Sequence, residues 1–173
     1  MMEQKMEILI THEEILAKAK EIGAQITRDF KGEEIVLIGI LRGSVPWMAD
    51  IMKTIDLDMT MDYMACSSYG SEKFSSGQVK IVKDIDEDVS DKNVIIVEDI
   101  VDSGTTLLYL KDYFANKHAK SVKVCSLLNK PSGRKVDIEP DYCAFEVEDR
   151  FIVGYGLDFN QRYRQLPFIS CLD

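Results

Sequence analysis

Val94-Ile95-Ile96-Val97-Glu98-Asp99-Ile100-Val101-Asp102-Ser103-Gly104-Thr105-Thr106 decides the reading of this chain. Four β-branched residues run into two adjacent carboxylates, and a third carboxylate precedes Ser-Gly-Thr-Thr. Leu107, Leu110 and Phe114 then recur at helical spacing. A continuous β-branched run is the pattern of a strand buried on both faces, hence of a parallel sheet. Ligands of open α/β sheets bind beyond the carboxyl ends of the strands. The acidic loop and the small-residue turn occupy that place.

The loop has two chemically different halves. Ser103 to Thr106 opens a helix, where free backbone N–H groups, the positive helix end and two hydroxyls suit a phosphate. Glu98 and Asp99 would repel that phosphate. They suit a ribose diol, which donates hydrogen bonds, or a cation. The whole stretch therefore reads as a cradle for a sugar phosphate. The plain alternative is an acidic strand-to-helix turn with Ser103 or Thr105 as N-cap. The buried strand before it and the amphipathic helix after it favour the cradle.

Working outward, Thr11-x-x-Glu14 is a capping box, and Ile15, Ala19, Ile22, Ile26 and Phe30 predict a helix to about Lys31. Ile35 to Ile40 reads as a buried strand and Leu41 to Ser44 as a tight turn. Pro46 suits the first turn of a short helix through Met52. Met59–Met64, Val79–Ile85, Val122–Leu128, Asp141–Val147 and Phe151–Tyr155 read as further strands. Residues 67–77 contain five serines and two glycines without apolar periodicity. That composition reads as a mobile loop, the alternation of Val79 to Ile85 allows a plain hairpin connection, and a hairpin with a long tip can also be a lid. The alternation of strands and helices implies an α/β fold with a largely parallel central sheet flanked by helices. The late strands, which follow one another without a helix, are expected to form a small flanking subdomain. The chain, residues 1–173, reads as a single domain.

With 46% apolar residues the chain can bury a core, and global disorder is excluded. A net charge of -9 argues against a nucleic-acid partner and against an anionic membrane. Cys66, Cys125, Cys143 and Cys171 have no metal-ligand spacing, and most lie in apolar runs. They read as reduced thiols of a cytoplasmic protein. His12 and His118 sit in charged helical segments and read as surface residues. No apolar run approaches membrane-spanning length. Neither G-x-G-x-x-G nor G-x-x-x-x-G-K-[ST] occurs, which removes dinucleotide-binding and kinase-like readings.

Four blocks give the chain a wider resemblance, in order: Leu41-Arg42-Gly43-Ser44; Ser67-Ser68-Tyr69-Gly70; Glu98 to Thr106; and Lys130 through Phe151-Ile152-Val153-Gly154-Tyr155-Gly156-Leu157-Asp158 to Arg164. In these blocks, which span nearly the whole sequence, the chain resembles the type I phosphoribosyltransferases. The last block resembles their 6-oxopurine branch. The resemblance implies that fold, with a hood contributed by the C-terminal segment over the active site. It implies transfer of a phosphoribosyl group from phosphoribosyl pyrophosphate to hypoxanthine, and to guanine, with release of pyrophosphate. It also implies Mg2+ and a homodimer or homotetramer. A regulatory protein that senses phosphoribosyl pyrophosphate, or a transferase for xanthine or another base, is the competing reading.

Roles follow from the resemblance residue by residue. Asp102 to Thr106 would hold the 5′-phosphate. Glu98 and Asp99 would take the ribose hydroxyls directly or through the metal, with Asp158 as a further metal-side carboxylate. Arg164 and the Leu41-Arg42-Gly43 turn would contact pyrophosphate, and Ser68 and Tyr69 would belong to the lid. Whether the Leu41-Arg42 peptide is cis stays open at this point. Lys130 would donate to a 6-oxo group, which discriminates against the 6-amino group of adenine by leaving two donors facing each other. Phe151 would stack on the base and the Ile152 backbone would read its other edge. From the residues alone, Lys130 could be a loop lysine, Phe151 core and Arg164 a surface ion pair. Asp102 would act as general base or acceptor at the purine, a role worth ~10²–10⁴-fold in rate. Asp102→Ala should lose turnover on that scale while keeping its fold and most nucleotide binding. Parent-like turnover in the folded variant removes Asp102 from the chemistry.

Overall fold

The computed structural model describes residues 6–68 and 78–172. In chain order the elements are β1 (Glu7–Ile10), α1 (His12–Asp29), β2 (Ile35–Ile40), α2 (Val45–Met52), β3 (Met59–Ser68) and β4 (Val79–Lys83). They continue with β5 (Asn93–Val101), α3 (Thr105–Asn116), β6 (Ser121–Asn129), β7 (Tyr142–Glu146), β8 (Ile152–Val153) and β9 (Ile169–Cys171).

The β-branched run forms β5, the strand between β2 and β6 in a sheet ordered β4-β3-β2-β5-β6-β7. Its pairing is parallel with both neighbours, with Gly39 opposite Val97 and Ile100 opposite Leu128. β2–β3 and β6–β7 are also parallel, whereas β3–β4 is the antiparallel hairpin foreseen from the alternation. Since β5 extends to Val101, Glu98 and Asp99 stand on the strand itself rather than in the loop.

Helices cover both faces of the sheet, which explains the unbroken apolar runs. On one face Leu37, Ile95 and Val97 pack against Ile15, Ile22 and Ile26 of α1 and Trp47, Met48 and Ile51 of α2. On the other, Val36, Ile38 and Ile96 pack against Leu107, Leu110 and Phe114 of α3. α1 starts at its capping box: Glu14 N–H donates to Thr11 Oγ1 at 3.2 Å and Thr11 N–H to Glu14 Oε2 at 2.8 Å. Both histidines are exposed and all four cysteines are free thiols. Burial pushes the Cys125 thiol up to about 12 and those of Cys66 and Cys143 up to about 11. At neutral pH they are therefore poor nucleophiles.

The late strands are divided differently from the expectation. β7 is an edge strand of the main sheet, parallel to β6, and is not part of a separate unit. The β6–β7 crossover runs through a single 3-10 turn at Pro131–Gly133 and a loop. A parallel crossover usually carries a helix, so its absence here disguised the connection. The small second sheet is antiparallel, ordered β1-β9-β8, and thus takes a strand from the amino-terminal side as well. Residues 69–77, most of the expected lid, lie outside the described residues. No helix among the described residues is long and apolar enough to cross a membrane.

Phe114 is fully buried between α3 and the sheet. Phe114→Ala should cost about 3–5 kcal/mol, read as a lower denaturation midpoint with an unchanged slope. A change under 1 kcal/mol would mean that this face tolerates a void the packing does not suggest.

Candidate active site

β5 and β2 end side by side, and their following turns line a cleft of about 360 Å³. Leu41 and Gly43 line it from the β2 turn, and Glu98, Asp99, Asp102, Ser103, Gly104 and Thr106 from β5 and its turn. Asp158 and Arg164 close it from the hood side. Arg42, Thr105, Lys130, Phe151 and Ile152 do not line this cavity. A larger depression, about 580 Å³, lies at the opposite strand ends. Its carboxylates are already engaged: Glu33 by Lys120 at 2.7 Å, Asp29 by the Tyr142 hydroxyl at 2.6 Å and Asp141 by Val124 N–H at 2.8 Å.

The turn after β5 is built to leave amides free. The N-cap of α3 is Gly104, at φ 81°, and no side chain caps the helix. Neither Ser103 nor Thr105 takes that position, which corrects the plain alternative. Ser103 Oγ is a distant acceptor for Thr105 N–H, at 3.4 Å. No acceptor among the described residues takes the N–H of Ser103, Gly104 or Thr106. These donors, at the positive end of α3, form an anion cradle.

The two acids stand deeper. Successive strand residues face opposite ways, so Glu98 shares the α3 face and Asp99 the face that carries the hood. Burial pushes the Glu98 carboxyl well up, and the neighbouring Asp99 charge pushes it further. Burial raises Asp99 too, opposed by the Ile100 N–H that donates to Asp99 Oδ1 at 2.7 Å. A Cβ on Gly43 would overlap the Asp99 carboxylate, so that glycine permits the β2 turn to close on the acid. The Leu41–Arg42 peptide is cis.

On the hood side, Asp158 Oδ1 pairs with Arg164 Nη2 at 3.0 Å, and Asp158 Oδ2 accepts Gln161 N–H at 2.9 Å. Arg164 Nη1 donates to Gly156 O at 2.5 Å. Gln161 Oε1 accepts from both Arg42 Nη1 at 3.1 Å and Arg164 Nη2 at 3.0 Å. The buried Arg164 Nε has no acceptor among the described residues. Gly156, at φ 100°, abuts the Gly43 carbonyl, and a Cβ there would overlap it. Hood and β2 turn therefore meet through two glycines.

A third region borders Asp102. Gly133 packs so closely on the Asp102 carboxyl that a Cβ would collide with it. Lys130, in the same loop, pairs with Asp149 at 2.9 Å. Its ammonium is held above the ordinary lysine range by Asp149, with Asp102 adding to the effect. Asp149 is 78% exposed, so this pairing is solvent-screened and exchangeable. Phe151 is 53% exposed and lies edge-on to Phe159 at 5.4 Å, which removes the core reading. Ile152 is buried in β8. Ser68 ends β3, and Tyr69 lies outside the described residues.

The Phosphoribosyl transferase domain family matches residues 6–160. This chain belongs to the phosphoribosyltransferase family. It is 51% identical over 165 residues to the hypoxanthine-guanine phosphoribosyltransferase of Bacillus subtilis (strain 168), covering 95% of this chain and 92% of that protein. A Staphylococcus aureus hypoxanthine phosphoribosyltransferase crystal structure superposes with a TM-score of 0.93 at 42% identity, covering 96% of this chain and 91% of that one. A Bacillus anthracis hypoxanthine-guanine phosphoribosyltransferase, with a HEPES molecule in its active site, gives 0.92 at 48% identity, covering 96% and 98%. The fold is therefore that of the type I phosphoribosyltransferases.

Three polar residues around the cleft escaped the sequence reading: Gln161, which links two arginines; Asp149, which holds Lys130; and Arg134, which bonds the turn after β5. Each is a polar residue in a loop, and only spatial proximity distinguishes it.

The buried acids have a measurable cost. A carboxyl held high in the folded protein keeps its proton more tightly there than in the unfolded chain. That advantage is complete at low pH. It is lost as pH rises above the ordinary glutamate value of 4.5 towards the raised value. Glu98→Gln should therefore gain stability over the parent progressively across that window. Denaturation curves at several pH values read this. A stability difference independent of pH would show that Glu98 carries no such penalty.

Proposed function

We propose that this phosphoribosyltransferase acts in purine salvage. It converts hypoxanthine, and guanine, with phosphoribosyl pyrophosphate to the nucleoside monophosphate and pyrophosphate. The observation that carries the reading is one cleft with three complementary parts. At the start of α3 sit amides with no acceptor among the described residues, the buried Glu98 and half-buried Asp99 stand beside them, and an arginine whose Nε has no partner among those residues closes the hood side.

The reaction displaces pyrophosphate at the anomeric carbon of ribose by a purine nitrogen. Positive charge builds on the sugar and negative charge on the leaving group. The amides of Ser103, Gly104 and Thr106, with the hydroxyls of the turn, hold the 5′-phosphate and fix the sugar. Glu98 and Asp99 accept from the ribose hydroxyls. Arg164 and the Leu41–Gly43 turn take the pyrophosphate, where a fork-shaped guanidinium suits two phosphate oxygens. Asp102, at the border with the Lys130 loop, accepts the purine proton. Lys130 exchanges Asp149 for the 6-oxo group, and Phe151 leaves Phe159 partly to stack on the base.

Magnesium fits these residues. Among the described residues no three His, Cys, Asp or Glu side chains form a cation cage. Magnesium needs none: one or two carboxylates plus substrate phosphates usually suffice. Glu98 and Asp99 would hold it on the ribose side and Asp158 on the pyrophosphate side. When bound it supplies positive charge where the leaving group becomes negative. The enzyme is proposed to work in the cytoplasm as a homodimer or homotetramer. A sensor of phosphoribosyl pyrophosphate that binds nucleic acid is disfavoured by the net charge of -9.

Product formation should be measured from phosphoribosyl pyrophosphate with hypoxanthine, guanine, xanthine, adenine and orotate. Hypoxanthine and guanine should turn over well and adenine poorly. Efficient use of adenine, or no turnover with any base, overturns the assignment. Exhaustive chelation should abolish the activity and added magnesium restore it. An undiminished rate in chelator removes the metal and the roles given to Glu98, Asp99 and Asp158.

A further inference from the structure

We propose that Arg134 is a positioning residue that aims the phosphate-binding amides of the turn after β5. The inference rests on reading Ser103–Thr106 as the seat of the 5′-phosphate.

Arg134 lies behind that turn, with only 12% of its side chain exposed. Its Nη1 donates to two successive carbonyls, Val101 O at 3.1 Å and Asp102 O at 2.6 Å. Its Nη2 donates to Asn129 Oδ1 at the end of β6 and to Glu139 Oε2 at 3.2 Å. The next residue adds a backbone bond, Lys135 N–H to Ser103 O at 2.9 Å. One short segment thus grips the carbonyls of Val101, Asp102 and Ser103 in turn.

The consequence follows from peptide planarity. In a trans peptide the C=O and the following N–H point in opposite directions. The only cis bond among the described residues is Leu41–Arg42. Drawing Asp102 O towards Arg134 therefore turns Ser103 N–H away from it. Drawing Ser103 O towards Lys135 does the same to Gly104 N–H. Both residues line the cleft. These are two of the amides that find no acceptor among the described residues. Gly104 at φ 81° offers little resistance to a peptide flip, and no side chain caps the helix. Without an outside hold, the amides have no fixed direction.

An arginine suits this task because its planar fork reaches two carbonyls and an amide oxygen together. A lysine carries the charge without the fork. The Glu139 pair alone is a weak rationale for the residue, since Glu139 is 63% exposed and the pair is screened.

The test compares binding of inosine 5′-monophosphate and of inosine to the full chain by calorimetry. Their affinity ratio isolates the 5′-phosphate. Arg134→Met should lower monophosphate affinity about ten- to a hundredfold, the worth of one charge-assisted bond, and leave inosine within about twofold. Arg134→Lys should lose most of the same ratio, because it keeps charge and loses the fork. Thr106→Ala, in the cradle itself, should lower the ratio too. If Thr106→Ala leaves the ratio unchanged, the reading of the turn as a phosphate seat fails. If Thr106→Ala lowers it and both Arg134 variants keep it, the aiming role alone is overturned. Equal weakening of both ligands would reduce Arg134 to a structural residue. Should circular dichroism show Arg134→Met unfolded, Arg134→Lys decides, and a parent-like ratio there overturns the proposal.

Discussion

The parallel pairing of β5 with β2 on one side and β6 on the other is the constraint on which everything else depends. Parallel neighbours end at the same edge of a sheet, so their turns converge without any further instruction. The β2 turn, the acidic turn after β5 and the Lys130 loop after β6 come from distant parts of the sequence. Gly39 opposite Val97 and Val101 opposite Asn129 bring all three to one rim. Helices on both faces keep that edge free, because each crossover returns the chain to the far side. The register therefore sets the distances between the functional groups.

Such a site works against the stability of its own scaffold. Glu98 and Asp99 are neighbouring carboxyls, and burial disfavours the charge on each. Among the described residues, the amides of Ser103, Gly104 and Thr106 and Arg164 Nε find no acceptor. Buried polar groups without partners normally cost about 1–3 kcal/mol each. Here, among the described residues, the incomplete donors and the carboxyls line one cleft. Two large apolar faces offset that cost. Trp47, Met48, Phe114, Ile35 to Ile38 and Val94 to Val97 are excluded from solvent.

The sequence made much of this legible where one residue type answers one physical demand. Strands buried on both faces must be continuously apolar, so β2 and β5 stood out. A helix start needs a cap, so Thr11 and Glu14 placed α1 within a residue or two. A turn that opens a helix with its amides free must be small, so Ser103 to Thr106 was visible as the start of α3. What failed to show depended on partners far apart in the chain. β1 has four residues, and its pairing partner is near the other end of the chain. β7 reads as an isolated strand because its crossover lacks a helix. Arg134, Asp149 and Gln161 act through bonds to other loops, which no local period encodes. Phe151 and Lys130 carried their proposed roles only through resemblance, because an aromatic or a lysine in a loop has several ordinary explanations.

The hood has a temporal meaning as well as a spatial one. Its central strand, β9, joins β1 by contacts spanning 164 positions of sequence. A chain emerging from the ribosome can complete β2, β3, β5 and β6, with their helices, well before β9 exists. β1 must meanwhile wait without a partner. Asp158 and Arg164 are held by the segment between β8 and β9. The turn after β5 can therefore form before the hood wall of the cleft is in place. The architecture thus ties the meeting of Asp158 and Arg164 with the turn after β5 to a hood that closes only when β9 finds β1.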